Sequence, residues 1–172
     1  MKKVLLPSFF NRDTKKVAEE LLGKFIVRKI GTKELSSMII ETEAYDGFED
    51  KASHAFKGRT KRTEVVFGKP GYLYVYLCYG IHFMLNIVTR EEKYPGAVLI
   101  RGIEDARGPG RVTKYFTINK LLNNKPLSKE TSIWIEDRGI KISKNRIIKS
   151  PRIGINYAGP IWSQKEWRFT IK

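Results

Sequence analysis

The sequence predicts an α+β fold: a single domain over residues 1–172, built on a curved, mostly antiparallel β-sheet with a protruding β-hairpin and a few peripheral helices. Three observations lead there. Strand-like runs outnumber helical ones, and turn signals join them as hairpins do, without long helical crossovers. The chain has 172 residues, 41% of them hydrophobic, enough for one core without covalent staples. There is no internal repeat, low-complexity tract or long linker to divide it.

The elements follow in order. Residues 14–22 set Val17, Ala18, Leu21 and Leu22 at helical spacing, with Asp13 or Thr14 as N-cap and Gly23 as the stop. Residues 25–30 and 37–45 read as strands joined around Gly31, from their β-branched content. In the second strand, a period of two places Ile39, Glu41, Glu43 and Tyr45 on one face and Met38, Ile40, Thr42 and Ala44 on the other. Residues 46–71 form a long polar connection holding His54, and a connection of that length in a compact domain is a candidate functional loop. Residues 72–78 and 81–89 are the arms of a hairpin turning at Tyr79-Gly80. A strand is expected at 97–103. Gly108-Pro109-Gly110 then opens a helix to about Ile118, with free N-terminal N–H groups able to take a phosphate. Short strands at 132–136, 152–155 and 167–171 close the chain.

Composition narrows the function. Lys and Arg number 33 against 18 Asp and Glu, a formal charge of +15. The excess is concentrated: Arg107, Arg111, Lys114, Lys120, Lys125 and Lys129 lie between Asp105 and Glu130 with no acid among them. That distribution favours a polyanionic partner, nucleic acid above all. Against it stands one acidic cluster, Glu41, Glu43, Asp46, Glu49 and Asp50, which either pairs with neighbouring lysines or carries chemistry. Cys78 is the single cysteine, so neither an internal disulfide nor a Cys-rich zinc site can form, and a reducing compartment fits. His54 and His82 are too few and too separated for a His-based metal site. No segment approaches the roughly 20 apolar residues of a bilayer span. Residues 1–7 do not read as a secretory signal. No membrane partner is expected, and the expected location is cytoplasmic, at the nucleoid in a bacterium. Dinucleotide, Walker and G-x-S-x-G signatures are absent, which speaks against nucleotide cofactors and serine hydrolysis.

Residues 72–80 hold four of the eight tyrosines. Alternation sets Tyr72, Tyr74 and Tyr76 on one face, either as cross-strand packing or as a binding wall. Tyr79 at the tip has little of its own domain to pack against and could wedge between stacked bases. Asn86 interrupts the apolar run 83–88, where a buried amide needs a hydrogen bond from backbone or a place in a pocket.

Ile40-Glu41-Thr42-Glu43-Ala44-Tyr45, then His54, then Lys69-Pro70-Gly71-Tyr72-Leu73-Tyr74-Val75-Tyr76 and Tyr79-Gly80-Ile81-His82-Phe83-Met84-Leu85-Asn86 resemble the alkyladenine (3-methyladenine) DNA glycosylases. The resemblance extends from Phe9-Phe10 through Val98-Leu99-Ile100-Arg101 and Gly108-Pro109-Gly110 to Arg152-Ile153-Gly154-Ile155 and the terminal strand.

It implies a monofunctional hydrolase that flips damaged purines out of duplex DNA. Glu43 would be the general base activating water; Tyr45, His54 and Tyr76 the walls stacking the base; Asn86 the pocket residue disfavouring the guanine amine; and Tyr79 the residue filling the gap in the duplex. Thr60, Arg101, Gly108, Gly110, Arg111 and Lys114 would contact DNA, with Arg101 beside the pocket and the helix start holding phosphate. An electron-poor alkylated purine suits electron-rich walls, and a cationic one leaves without a strong acid. The resemblance implies no metal or other cofactor, and a monomer is expected. Two residues depart from the family pattern: Thr63 stands where Asn is usual, and Val66 where Met is common. Two further readings stand beside this one, a non-catalytic nucleic-acid binder of the same fold and a hydrolase directed at RNA or nucleotides.

Overall fold

The computed structural model describes residues 2–172. Ten strands are joined by antiparallel pairings into one sheet: β1 (Lys3–Val4), β2 (Phe25–Ile30), β3 (Lys33–Asp46), β4 (Leu73–Cys78), β5 (His82–Val88), β6 (Gly96–Ile103), β7 (Ala106–Arg107), β8 (Ile133–Asp137), β9 (Ile147–Ser150) and β10 (Arg168–Ile171). The helices are short: α1 (Pro7–Phe10), α2 (Thr14–Glu20), α3 (Pro109–Tyr115) and α4 (Gly159–Ser163). The main order is β1-β8-β2-β3-β6-β5-β4. This is the expected α+β class, and no helix among the described residues is long and apolar enough to cross a membrane.

The 14-residue β3 organises the molecule. Its first half pairs with β2; its second half lies between β6 and β10, with Glu43 opposite Leu99 on one side and Arg168 on the other. A bulge separates the halves, where Ile39 and Glu41 align with Ile103 and Gly102. The extra residue reverses side-chain facing. Ile39 therefore joins the core with Ala44, on the face opposite Glu43, which corrects the uninterrupted alternation expected for 37–45. Strict period-two reading cannot detect a bulge.

The core lies on one side of the sheet, under α2 and α3, and gathers Val17, Ala18, Leu21, Leu73, Val75, Leu85, Ile87, Ile100, Val112 and Phe116. The Asp13 carboxylate caps α2 by accepting from the Lys15 and Lys16 N–H groups. α3 stops at Tyr115, short of Ile118, because Thr117 takes φ +52° and the Ile118 N–H returns to the Thr113 carbonyl. This left-handed termination normally announces itself with glycine. The strand expected at 152–155 does not form: after Pro151, Arg152 buries its side chain and the Ile153 N–H is given to a carboxylate instead of a neighbouring strand. On its other edge β10 pairs with β9, which lies just before residues 152–155.

On the opposite side of the sheet a second cluster holds Tyr74, Val66, Phe67, Val88 and Ala97, with Tyr72 and Tyr76 against it. The alternation of β4 thus sends its tyrosines away from the core, as expected.

Candidate active site

β3 carries Glu43 and Tyr45 on the same face, two residues apart. Glu43 is fully buried. Its Oε1 accepts the Ile153 N–H at 2.9 Å, and its Oε2 accepts the Tyr45 hydroxyl at 2.9 Å. The Arg101 Nε of β6 lies 3.6 Å from Oε1, closer to Glu41 at 3.1 Å. Burial pushes the Glu43 carboxyl above the ordinary glutamate range, against the pull of Arg101, the Ile153 N–H and the Tyr45 hydroxyl. Burial, then the adjacent carboxylate, holds Tyr45 protonated well beyond the usual tyrosine range.

Three of the other acids of the cluster are committed to cations from distant sequence, while Glu49 is exposed. Glu41 pairs with Arg101 and Arg168, Asp46 with Lys15 and Arg90, and Asp50 with Arg152. The alternative that these acids pair with neighbouring lysines is not what the fold makes of them: the partners are four arginines and Lys15, all brought in from distant sequence. Glu43 combines complete burial with a raised carboxyl.

Beside Glu43 opens a pocket walled by Tyr45, His54, Tyr74, Tyr76, Asn86 and Tyr157, with Ala52, Ser53, Val66 and Ala97 filling the gaps. His54 starts a 3₁₀ turn (His54–Lys57) capped by the Ser53 hydroxyl. Its Nδ1 lies 3.1 Å from the Tyr74 hydroxyl, and its ring meets Tyr76 edge-on at 4.7 Å. His54 is exposed as a residue, but partial desolvation of its ring, aided by Arg62, brings its pKa down to about 4, so the imidazole is neutral at physiological pH. The Tyr76 hydroxyl is pushed up by burial and by Tyr74. Asn86 on β5 donates from Nδ2 to the Tyr74 carbonyl at 3.2 Å, the backbone bond that its position in an apolar run called for, while lining the pocket. The four residues expected at the pocket, Tyr45, His54, Tyr76 and Asn86, are thus brought together.

A wider groove continues from the pocket past Lys51, Phe56, Lys57, Thr60 and Arg62. Thr60 is exposed in it, and the buried Thr63 hydroxyl closes the loop by donating to the Gly58 carbonyl and accepting the Thr60 N–H. Thr63 therefore does its own structural work where Asn is usual. Tyr79 is 93% exposed at the tip of the β4–β5 hairpin, and both Tyr79 and Gly80 have positive φ, as a type I′ turn requires. The start of α3 flanks this hairpin so closely that a Cβ on Gly110 would lie 2.8 Å from the His82 ring. Arg111 and Lys114 are exposed there. The Arg111 and Val112 N–H groups already donate to the Gly108 carbonyl and Pro109 has no N–H, so α3 presents fewer free N–H groups than expected. Arg101 is not at the free surface: it faces the two glutamates.

Sequence reasoning missed Asp50, Arg152, Ile153, Arg62 and Tyr157 as parts of this site. Asp50 was visible only as a member of the acidic cluster. The others come from segments remote in sequence, and no local spacing marks them.

Comparison with known proteins gives the family. The family model described as Methylpurine-DNA glycosylase (MPG) matches residues 8–107 and 104–172. A Legionella pneumophila (strain Paris) protein is 42% identical over 100% of this chain and 96% of its own length. One from Methanocella arvoryzae is 40% identical over 98% and 92%, and one from Borrelia garinii subsp. bavariensis 41% over 95% and 94%. Each is named "Putative 3-methyladenine DNA glycosylase". With a family model covering nearly the whole chain and relatives 40–42% identical over 92–96% of their own length, the chain belongs to the methylpurine-DNA glycosylase family, hydrolases of N-glycosyl bonds in DNA.

Proposed function

We propose that this chain excises alkylated or deaminated purines, of the 3-methyladenine, 7-methylguanine and hypoxanthine class, from duplex DNA in a single hydrolytic step that leaves an abasic site. The observation that carries this reading is Glu43: a buried carboxylate with two fixed donors, one of them Tyr45, a wall of the aromatic pocket. The target nucleotide is turned out of the stack, and Tyr79 fills the gap it leaves. Tyr45, His54 and Tyr76 stack the electron-poor base, and because His54 is neutral it sets no like charge against a cationic purine. Ionised Glu43 takes a proton from water as the water oxygen bonds to C1′. The C1′–N bond breaks with its electron pair passing to the base, which neutralises a cationic purine; a neutral hypoxanthine leaves as its anion and takes up the proton that Glu43 drew from the attacking water, or one from solvent. The same carboxylate stabilises the oxocarbenium character that develops at the sugar. Asn86 narrows the pocket against the guanine amine. Thr60, Gly108, Gly110, Arg111 and Lys114 contact the DNA backbone, while Arg101, engaged by Glu41 and Glu43, supports the site from beside the carboxylate, and one copy of the chain suffices.

Single-turnover release of free base from methylated and from hypoxanthine-containing duplexes tests this. Glu43→Gln should slow release by about 10²–10⁴-fold while duplex binding persists. Full release by Glu43→Gln overturns the role of Glu43, and no release by the wild-type protein from either duplex overturns the substrate reading.

A further inference from the structure

We propose that Arg152 is a positioning residue for Glu43, holding from a sealed site behind the pocket both donors that grip the carboxylate. The proposal rests on the excision chemistry above and extends it to a residue that does not meet the substrate.

Arg152 is buried. Its Nη1 and Nη2 donate to the two oxygens of Asp50 at 2.6 and 2.9 Å, and Nη1 also donates to the Ala44 carbonyl at 2.8 Å. The guanidinium lies between two rings, 4.7 Å from the centre of Tyr45 and 4.9 Å from that of Trp167. Tyr45 is the donor to Glu43 Oε2, and Ile153, the next residue in the chain, is the donor to Oε1. Ala44 sits between Glu43 and Tyr45 on β3. One cation is therefore fastened to the strand that carries the base, to the ring of its first partner and, through one peptide unit, to its second. Asp50 in turn accepts the Asp46 and Ala52 N–H groups, which ties the start of the His54 loop to the same point.

Fold stability alone gives no reason for this arrangement. A buried ion pair is a poor source of stability compared with apolar packing of the same volume. Here the Arg152 Nε is buried without a partner, so part of its desolvation is uncompensated. What the planar fork supplies is fixed geometry along several directions at once, which no apolar side chain gives. The charged and titratable groups facing Glu43 are Glu41 from its own strand, Arg101 from β6, and Tyr45, with Arg168 of β10 engaged by Glu41.

Arg152→Lys tests the proposal. Lysine keeps a cation between the rings but cannot reach both Asp50 oxygens and the Ala44 carbonyl together. The variant is expected to fold and to bind damaged duplex like the wild type, while single-turnover base release falls about 100-fold, the loss that accompanies small misplacement of a reacting group. Loosened donors no longer favour the carboxylate, so the acid limb of the pH–rate profile should move to higher pH. The side-chain carboxyl resonance of Glu43, assigned with Glu43→Gln, should titrate at higher pH in the free protein. Base release within about threefold of wild type overturns the proposal, given the hundredfold expected. So does reduced release with an unmoved Glu43 titration, which would make Arg152 merely structural. If Arg152→Lys does not fold, Asp50→Asn, which leaves the Ala44 contact in place, is judged by the same titration, with about a tenfold loss of release expected. Wild-type protein that releases no base sinks the excision reading instead, and the titration then decides the Arg152 proposal independently.

Discussion

Replacing Glu43 with glutamine should make the protein more stable while making it inactive. Glu43 is completely buried, and its carboxyl is raised because burial outweighs Arg101, the Ile153 N–H and the Tyr45 hydroxyl together. Glutamine keeps the shape: its carbonyl can accept the Ile153 N–H, and Tyr45 can rotate its hydroxyl to accept from the amide. Arg101 is not orphaned, since Glu41 lies nearer to it, at 3.1 Å. Two charge-assisted hydrogen bonds become neutral ones, a loss of about 1 kcal/mol each. Against this, the carboxylate's burial cost of several kcal/mol disappears. The balance is on the order of 1 kcal/mol in favour of glutamine, or about 2–4 °C in Tm for a chain of this size. A carboxyl whose folded-state pKa is raised binds its proton more tightly in the folded protein. The stability it contributes is therefore present at low pH and is lost as pH rises through the folded value. Calorimetry of both proteins across pH should accordingly show the gain of Glu43→Gln at pH above the folded Glu43 pKa, shrinking as the wild-type carboxyl becomes protonated. A Glu43→Gln protein that melts below wild type at high pH, or a difference that does not change with pH, refutes the argument.

The remaining predictions concern the walls and the wedge. Tyr79→Ala removes an almost fully exposed ring, so its unfolding free energy should stay within about 0.5 kcal/mol of wild type. Its affinity for damaged duplex should fall about tenfold, as expected for one lost aromatic–base stack, and unchanged affinity in a titration would refute the wedge role. His54, with its folded pKa near 4 against an ordinary 6.5, contributes stability that is present above pH 6.5 and lost as pH falls toward 4. His54→Gln should flatten that part of the wild-type stability curve. The wild-type rate of base release should show no His54 inflection between pH 5 and 8, and NMR of the imidazole checks both statements.

Much of this protein was legible in its sequence because the relevant interactions are local. Helical spacing in α2, the alternation of β4 and the Tyr79-Gly80 turn each specify their geometry within a few residues, and the pairing of Glu43 with Tyr45 needs only that β3 be a strand there. The errors came where local rules are overridden. A bulge in β3 moved Ile39 to the core face, Thr117 ended α3 in a conformation usually left to glycine, and a carboxylate captured the Ile153 N–H that a strand would have used. Alternation alone could point Glu43 and Tyr45 the same way. It could not say that Glu43 would be fully buried, that Asp50, Glu41 and Asp46 would be paired with arginines and a lysine far along the chain, or that Arg152 would lie against both Tyr45 and Trp167. Covalent order and residue type set the period of each strand, the sign of the surface charge and the identity of the reactive groups. Burial, and with it the protonation of Glu43 and His54, depends on which distant segments exclude water from them, and only the assembled tertiary structure decides that.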